Sequence, residues 1–132
     1  DLQSPGTHDR LVSVLGNHEY RGNTQAVLDY SGVSRRWTMP ARYYTKTFEE
    51  KGATVRIVWI DTAPLIDKYR NESATYPDAC HQDMNGQLAW LDSVLTVAKE
   101  DWVIVAGIIR SMPKPRKTRA NAATYRAASI LF

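Results

Sequence analysis

Residues 43–60 carry the sequence YYTKTFEEKGATVRIVWI, which predicts the structural centre of this chain. Two stretches within it, 43–48 and 53–60, are rich in aromatic and β-branched residues, as β-strands are. They flank Glu49 to Gly52, a polar segment that ends in glycine, which tight turns favour. The pattern predicts an antiparallel hairpin whose second strand ends at Asp61.

Outside the hairpin, strand-like and helix-like patterns alternate along the chain. In chain order we predict a buried strand over 11–15, a helix over 22–33 with Asn23 or Thr24 as N-cap, a loop over 34–40, a helix over 86–100 with an apolar stripe that begins at Leu88, and a strand over 102–107. The last segment is a continuous apolar run, which is typical of a strand buried on both faces. The order β-α-β-β-α-β predicts an α/β sheet with helices packed on it.

The formal net charge of +3 is unevenly distributed along the chain. Six of the 17 basic residues lie in residues 110–132, which contain no acidic residue, so residues 1–109 carry 11 basic and 14 acidic residues, a net of −3. A basic segment of this kind could bind nucleic acid or an acidic surface. It lacks the interleaved aromatic residues of a single-strand binder, so we favour a solvated, disordered tail. No apolar run approaches the ~20 residues of a membrane span, and we expect no membrane partner.

The segment Gly16-Asn17-His18-Glu19 directly follows the first predicted strand. Catalytic and ligand-binding groups of α/β folds gather beyond the carboxyl ends of strands. An asparagine oxygen can be a neutral metal ligand, and a neighbouring histidine can protonate a leaving oxygen while an adjacent carboxylate holds its ring. A plain turn, in which Asn17 bonds the backbone and His18 is a surface residue, fits these four residues equally well.

Beyond these four residues, the chain resembles the calcineurin-like metallophosphoesterases, in particular the purple, or tartrate-resistant-type, acid phosphatases. Residues 14–20 (VLGNHEY) contain the GNH[DE] motif of the larger family. Residues 36–44 are similar to an RW-x-(M/F)P-x-x-YY segment of the acid-phosphatase branch, 58–62 to a strand that ends in Asp-(Thr/Ser), and 87–91 to its Q-x-x-WL helix. The resemblance extends from about residue 14 to residue 107 and implies part of a two-sheet sandwich flanked by helices.

The resemblance also implies roles for the matched residues. Asn17 would ligate one of two metal ions, iron with zinc, manganese or a second iron. His18 would stabilise the phosphate or protonate the departing alkoxide, and Glu19 would orient His18. The implied reaction is hydrolysis of a phosphomonoester by in-line attack of a metal-activated hydroxide. The resemblance gives Asp61 no ligand role, and we expect it to be structural or to support the site indirectly.

Most of the metal ligands that the resemblance implies have no counterpart in the chain. Two ligand segments would lie before Asp1 and one after Phe132. A fourth, Gly-His-x-Pro, should follow the strand that ends at Gly107, where this chain has Ile108. An alkyl side chain has no lone pair, so this position cannot bind a metal. We therefore expect residues 1–132 alone to be inactive.

A reading-frame change would account for this departure. The codons GGC ATC ATC CGA TCT ATG CCG AAA would encode residues 107–114, and the same letters shifted by one base encode His-His-Pro-Ile-Tyr-Ala-Glu after the glycine. We accordingly divide the chain into a doubtful N-terminal segment over 1–13, a partial metallophosphoesterase domain over 14–109, and a basic tail over 110–132 in a non-native frame. Sequencing of the coding DNA with its flanks tests this division.

Two other groups of polar residues are candidate sites. Asp78, Cys80, His81 and Asp83 are metal-ligand types, but an adjacent Cys and His cannot easily reach one ion, so we predict a loop there. Arg42, like the arginines at 35–36, could face an anionic substrate, but we favour a solvated loop.

Together the sequence predicts part of a metal-dependent acid phosphatase that acts on phosphomonoesters, with secreted or periplasmic localisation implied by the resemblance and no signal peptide within the chain. The alternative is a non-catalytic protein that binds nucleic acid or acidic surfaces through the basic tail.

Overall fold

The computed structural model describes residues 11–108. Residues 1–10, residue 109 and the basic tail lie outside the described residues. The predictions that concern them include the disorder of the tail and the nucleic-acid alternative. The strands are β1 (Leu11–Val12), β2 (Trp37–Thr38), β3 (Tyr44–Glu50), β4 (Ala53–Trp59) and β5 (Trp102–Ala106), and the α-helices are α1 (Thr24–Asp29), α2 (Asp67–Asn71) and α3 (Met84–Val97). Short 3-10 turns cover Glu19–Arg21, Tyr30–Gly32, Ala63–Leu65 and Ala79–His81.

The predicted hairpin is confirmed and supplies two of the three strands of the larger sheet. β3 pairs antiparallel with β4, with Tyr44 opposite Trp59 and Glu50 opposite Ala53. The two residues of the turn, Lys51 and Gly52, both have positive φ, at 53° and 81°. Two-residue hairpin turns need this conformation because it matches the right-handed twist of the strands, and glycine adopts it without steric cost.

The sheet topology confirms the α/β class. β5 pairs parallel with β4, with Val55 opposite Trp102, so the larger sheet has the order β3-β4-β5. The connection from β4 to β5 contains α2 and α3, as parallel strands require a long crossover. β1 and β2 form a separate two-stranded parallel sheet.

Three details of the sequence prediction are wrong. The segment 34–40, predicted as a loop, contains β2, whose two residues are too few to show a periodic pattern. The buried strand predicted over 11–15 has ladder pairing only at β1. β5 is not buried on both faces, since its residues are partly to half exposed. The reason is that nothing within residues 11–108 covers them fully.

The helices also differ in part from the sequence prediction. Asn23 caps α1 as predicted, accepting a hydrogen bond from the Ala26 amide at 3.1 Å. In α3 the fully buried side chain is Gln87, whereas Leu88 in the predicted apolar stripe is 45% exposed. No helix within residues 11–108 is long and apolar enough to cross a membrane.

The hydrophobic core lies under the segment that carries the Gly-Asn-His-Glu motif. Leu15 and Tyr20 on either side of the motif are fully buried, together with Met39. Tyr44 stacks on Trp59 with ring centroids 4.9 Å apart. Burial of large apolar side chains on both sides of a loop fixes where the loop leaves the core.

Candidate functional site

The ends of three strand segments meet at one place in the fold. A β-carbon built on Gly107 would lie 2.6 Å from Cγ2 of Thr62, so the chain after β5 runs against the chain after β4. A β-carbon on Gly16 would lie 3.2 Å from Cδ1 of Ile108, so the chain after β5 also contacts the loop of residues 16–19, which we call the candidate loop. The segments that follow β4 and β5 therefore meet the loop at the edge where the sequence predicts the site, and the chemistry of that site stays a prediction.

Glu19 closes the candidate loop on itself. Its Oε2 accepts a hydrogen bond of 2.8 Å from the Gly16 amide, three residues earlier. A β-carbon on Gly16 would lie 3.0 Å from this oxygen, so the contact leaves little room for any side chain at that position. The 3-10 turn that begins at Glu19 continues the loop into the core at Tyr20. The observed partner of Glu19 is thus the Gly16 amide, and its action on His18 stays a prediction.

Asn17 and His18 are available for binding at the turn of this loop. Asn17 is partly buried and His18 is exposed. Among residues 11–108, neither side chain makes a hydrogen bond, while the His18 carbonyl accepts one of 3.0 Å from the Arg21 amide. His18 does not cap the 3-10 turn that follows it, and its exposure also fits the plain turn that the sequence left open.

The position where the resemblance implies a metal-binding histidine lies beside this loop. Ile108 places two alkyl carbons, Cδ1 and Cγ2, 3.2 and 3.3 Å from the β-carbon position of Gly16. Neither carbon can coordinate a metal. Within residues 11–108, no three His, Cys, Asp or Glu side chains are arranged to hold a metal ion. The described residues therefore do not fit a two-metal centre.

The cluster near residues 78–83 behaves as the sequence predicts, as a loop with structural roles. Asp78 accepts a hydrogen bond from Thr24, and this bond lowers the pKa of the Asp78 carboxyl. Cys80 is an exposed free thiol. Asp83 is the N-cap of α3, accepting from the Gly86 amide at 2.9 Å.

Arg42 is not in a solvated loop, contrary to the sequence prediction. Its guanidinium donates to the Tyr20 hydroxyl at 3.2 Å, to Thr24 at 2.7 Å and to Asp78 at 2.8 Å. These bonds tie the segment before β3 to the turn after the candidate loop, to α1 and to the loop before α3. Arginine suits such a junction because its planar fork carries five donors in a fixed geometry.

Asp61 is the buried end of the same network. It is only 2% exposed, and its Oδ2 accepts a hydrogen bond from the Tyr20 hydroxyl. Burial is the main cause that raises the pKa of Asp61 to about 6, against the lowering effects of the Tyr20 hydrogen bond and the Arg42 charge. Burial, followed by the Asp61 charge, raises the pKa of Tyr20 well above its ordinary value, so Tyr20 stays a neutral donor.

Gln87 fixes the backbone of Asp61 from α3. Its side-chain oxygen accepts from the Asp61 amide at 2.8 Å, and its side-chain nitrogen donates to the Asp61 carbonyl at 2.9 Å. Sequence reasoning placed both residues in segments similar to acid phosphatases but missed their pairing. A polar residue in the register of the buried face of α3 was the signal that could have revealed it.

Comparisons with known proteins agree with this geometry. No family model matches the chain. Tartrate-resistant acid phosphatase type 5 of Rattus norvegicus is 37% identical over 99 residues, which cover 71% of this chain and 30% of that protein. The protein of the same name from Homo sapiens is 34% identical over 99 residues, with the same coverage. Purple acid phosphatase 3 of Arabidopsis thaliana is 29% identical over 114 residues, covering 79% of this chain and 29% of that protein.

The fold and the comparisons together define an α/β portion of a metallophosphoesterase fold. The chain spans about 30% of the length of the tartrate-resistant relatives it matches. Within that class, it is a partial purple acid phosphatase-like chain, as the motifs predicted.

Proposed function

We propose that this chain carries part of the active site of a metal-dependent acid phosphatase that hydrolyses phosphomonoesters at a dinuclear metal site. We further propose that residues 1–132 alone do not perform this reaction. The observation that carries the proposal is the loop at Gly16 to Glu19. Its backbone is fixed by the Glu19 contact, while the side chains of Asn17 and His18 make no hydrogen bond within residues 11–108.

In this proposal each residue of the loop has one role. Asn17 offers a neutral oxygen as a metal ligand. His18, exposed at the turn, contacts the phosphate and supplies a proton to the departing oxygen, a role for which an imidazole is suited near neutral pH. Glu19 holds the loop in shape by accepting from the Gly16 amide. Buried Tyr20 anchors the loop through Asp61 and Arg42.

The proposal that residues 1–132 alone are inactive rests on Ile108. One matched ligand cannot hold two cations, and the side chain beside the loop is alkyl. Residues 11–108 alone do not supply the ligands that a hydrolytic two-metal site needs. Secretion or periplasmic localisation of the protein is a further part of the proposal.

Metal analysis and a phosphatase assay on the purified chain test its competence. The chain is incubated with iron, zinc and manganese, desalted, and assayed with p-nitrophenyl phosphate at acidic and neutral pH. We expect less than one bound metal per chain and no turnover above the metal-only blank. Two bound metals per chain, with turnover lost in Asn17→Ala, would overturn the claim of inactivity.

A chimera tests the roles of the loop residues independently. The matched region of the rat tartrate-resistant phosphatase is replaced by residues 14–107 of this chain. We expect the chimera to bind metal and to turn over. Asn17→Ala should lower metal content, whereas His18→Ala should keep the metal and lower kcat by about 10²-fold or more. Equal activity of the parent chimera and both variants would remove the proposed roles.

A further inference from the structure

Residues 71–73 have the sequence Asn-Glu-Ser, which matches the Asn-x-Ser/Thr acceptor pattern of N-linked glycosylation. The middle residue, Glu72, is not proline, as the pattern requires. The chain has five asparagines, and Asn71 is the only one that is followed two positions later by serine or threonine. Because so short a pattern also arises by chance, its placement in the fold decides whether Asn71 can carry a glycan.

The tripeptide lies on the surface at the end of a helix. α2 ends at Asn71, and Glu72 leaves the helical conformation with φ −97° and ψ 59°. All five residues from 71 to 75 are exposed, whereas the next residue, Tyr76, is only 3% exposed. The acceptor asparagine and the serine that the pattern requires are therefore accessible, just before the chain returns to the core.

The turn at residues 72–76 is held by groups other than the acceptor side chains. The Glu72 carbonyl accepts hydrogen bonds of 2.9 Å from the amides of both Thr75 and Tyr76. The Tyr76 ring packs edge-to-face on Tyr69 of α2, with centroids 4.8 Å apart. Within residues 11–108, the side chains of Asn71 and Ser73 make no hydrogen bond. A glycan on Asn71 would thus displace no contact that holds the turn.

The helix before the acceptor is too short to withhold it from a transferase. α2 has five residues, Asp67–Asn71. Isolated helices shorter than about 12–15 residues are marginal in water, so α2 depends on packing in the completed fold. N-linked glycans are added as the chain enters the secretory compartment. At that stage the tripeptide is free to adopt the conformation that the enzyme needs.

We propose that Asn71 is an N-glycosylation site, with a lipid-linked oligosaccharide pyrophosphate as the donor. Nδ2 of Asn71 forms a bond to the anomeric carbon of the oligosaccharide, and the bond from that carbon to the pyrophosphate oxygen breaks. The lipid pyrophosphate leaves with the bonding electrons, and the amide nitrogen loses one proton. The hydroxyl of Ser73 is the group that the acceptor pattern requires. The proposal rests on secretion, which is part of the proposed function, but not on metal binding or phosphatase activity.

Expression of the full chain behind a cleavable leader in a eukaryotic secretory host tests the proposal. The leader supplies delivery, and its removal, read from the intact mass, confirms that the chain has entered the compartment. We expect one glycan per chain, which peptide-N-glycosidase F releases with conversion of Asn71 to aspartate, as read by peptide mass spectrometry. A delivered chain without a glycan would overturn the proposal. The metal and phosphatase assays are separate, so failure of the proposed function is distinguishable from failure of this site.

Four variants assign the glycan to this tripeptide. Asn71→Gln and Ser73→Ala should each lose the glycan completely, whereas Ser73→Thr keeps the hydroxyl and should keep the glycan. Asn85→Gln is the matched control, because Asn85 is also exposed but is followed two positions later by Gln87. Its glycan occupancy should equal that of the parent chain. A glycan that persists in Asn71→Gln or Ser73→Ala, or that is lost in Asn85→Gln, would refute the assignment.

Urea unfolding of the glycosylated chain, before and after glycosidase treatment, tests the placement of the site. We expect the two unfolding midpoints, read by tryptophan fluorescence, to coincide, because the turn is held by the Glu72 carbonyl and by Tyr76. Unfolding of the glycosylated sample at a clearly lower urea concentration would show that the glycan disturbs the fold, which contradicts a freely exposed site.

Discussion

Asp61 should make the chain less stable as the pH rises, which is opposite to the usual behaviour of a paired carboxylate. Its pKa is raised from 3.8 to about 6, chiefly by burial, so the folded chain binds this proton more tightly than the unfolded chain does. The charged or titratable side chains acting on it are Tyr20, Arg42 and Asp78. Its contribution to stability is therefore complete below pH 3.8 and is lost as the pH rises through about 6.

The substitution Asp61→Asn isolates this effect because asparagine mimics the protonated carboxyl in shape. The difference between about 6 and 3.8 corresponds to about 3 kcal/mol, an upper value for the loss between pH 4 and pH 7. The variant should have nearly the stability of the parent chain at pH 4. At pH 7, it should be more stable than the parent by an amount approaching that value.

Urea denaturation followed by tryptophan fluorescence at pH 4, 5, 6 and 7 measures the effect. Comparison of each variant with the parent at the same pH cancels the contributions of other groups, such as Glu100, whose pKa is lowered to about 2 by its hydrogen bond with Arg56. Asp92→Asn, an exposed change, serves as the control and should give a flat difference across the range. A flat difference for Asp61→Asn, or one that favours the parent chain more at pH 7 than at pH 4, would refute the reasoning.

Two further substitutions test the contacts that support the loop. Arg42→Met removes three hydrogen bonds and leaves Asp78 without its ion-pair partner, so unfolding by urea should show a loss of about 1–3 kcal/mol, with Arg42→Lys recovering part of it. An equal stability of the parent and methionine variants would show that the network is dispensable. Gln87→Leu leaves the backbone N–H and C=O of Asp61 without partners and should cost about 2–4 kcal/mol in the same assay, whereas the exposed change Leu88→Gln should cost under about 0.5 kcal/mol. If Leu88→Gln costs more than Gln87→Leu, then α3 faces the core with the side of the helix that carries Leu88, as its leucine pattern suggests.

The parts of the fold that the sequence predicted are those with strong local signals. The hairpin was predictable because β-branched and aromatic residues flank a turn at Gly52, and the turn has the positive φ values that favour glycine. Asn23 was predictable as a cap because its short side chain reaches the third residue along the chain. In each case the residues that interact are close in sequence.

What the sequence did not reveal depends on contacts between distant segments. Arg42 resembles any loop arginine until the fold brings Asp78 to it, 36 residues later. Gln87 lies among leucines, and only its distance from the Asp61 backbone shows that it is the buried residue of α3. β2 has two residues, and its pairing with β1 leaves no periodic trace. For the candidate site, the motif supplied Asn17 and His18, whereas the contact between Ile108 and Gly16 required the structure.

The interruption of the site by Ile108 is tested most directly by two versions of the chimera that differ only at position 108. In the first, the replacement extends through Ile108, and in the second the same chimera carries Ile108→His. We expect the isoleucine version to bind less metal and to show no measurable turnover of p-nitrophenyl phosphate. The histidine version should regain both, because an imidazole at this position lies beside the loop of Asn17 and His18. Equal metal content and equal turnover in the two versions would contradict the claim that Ile108 interrupts the site.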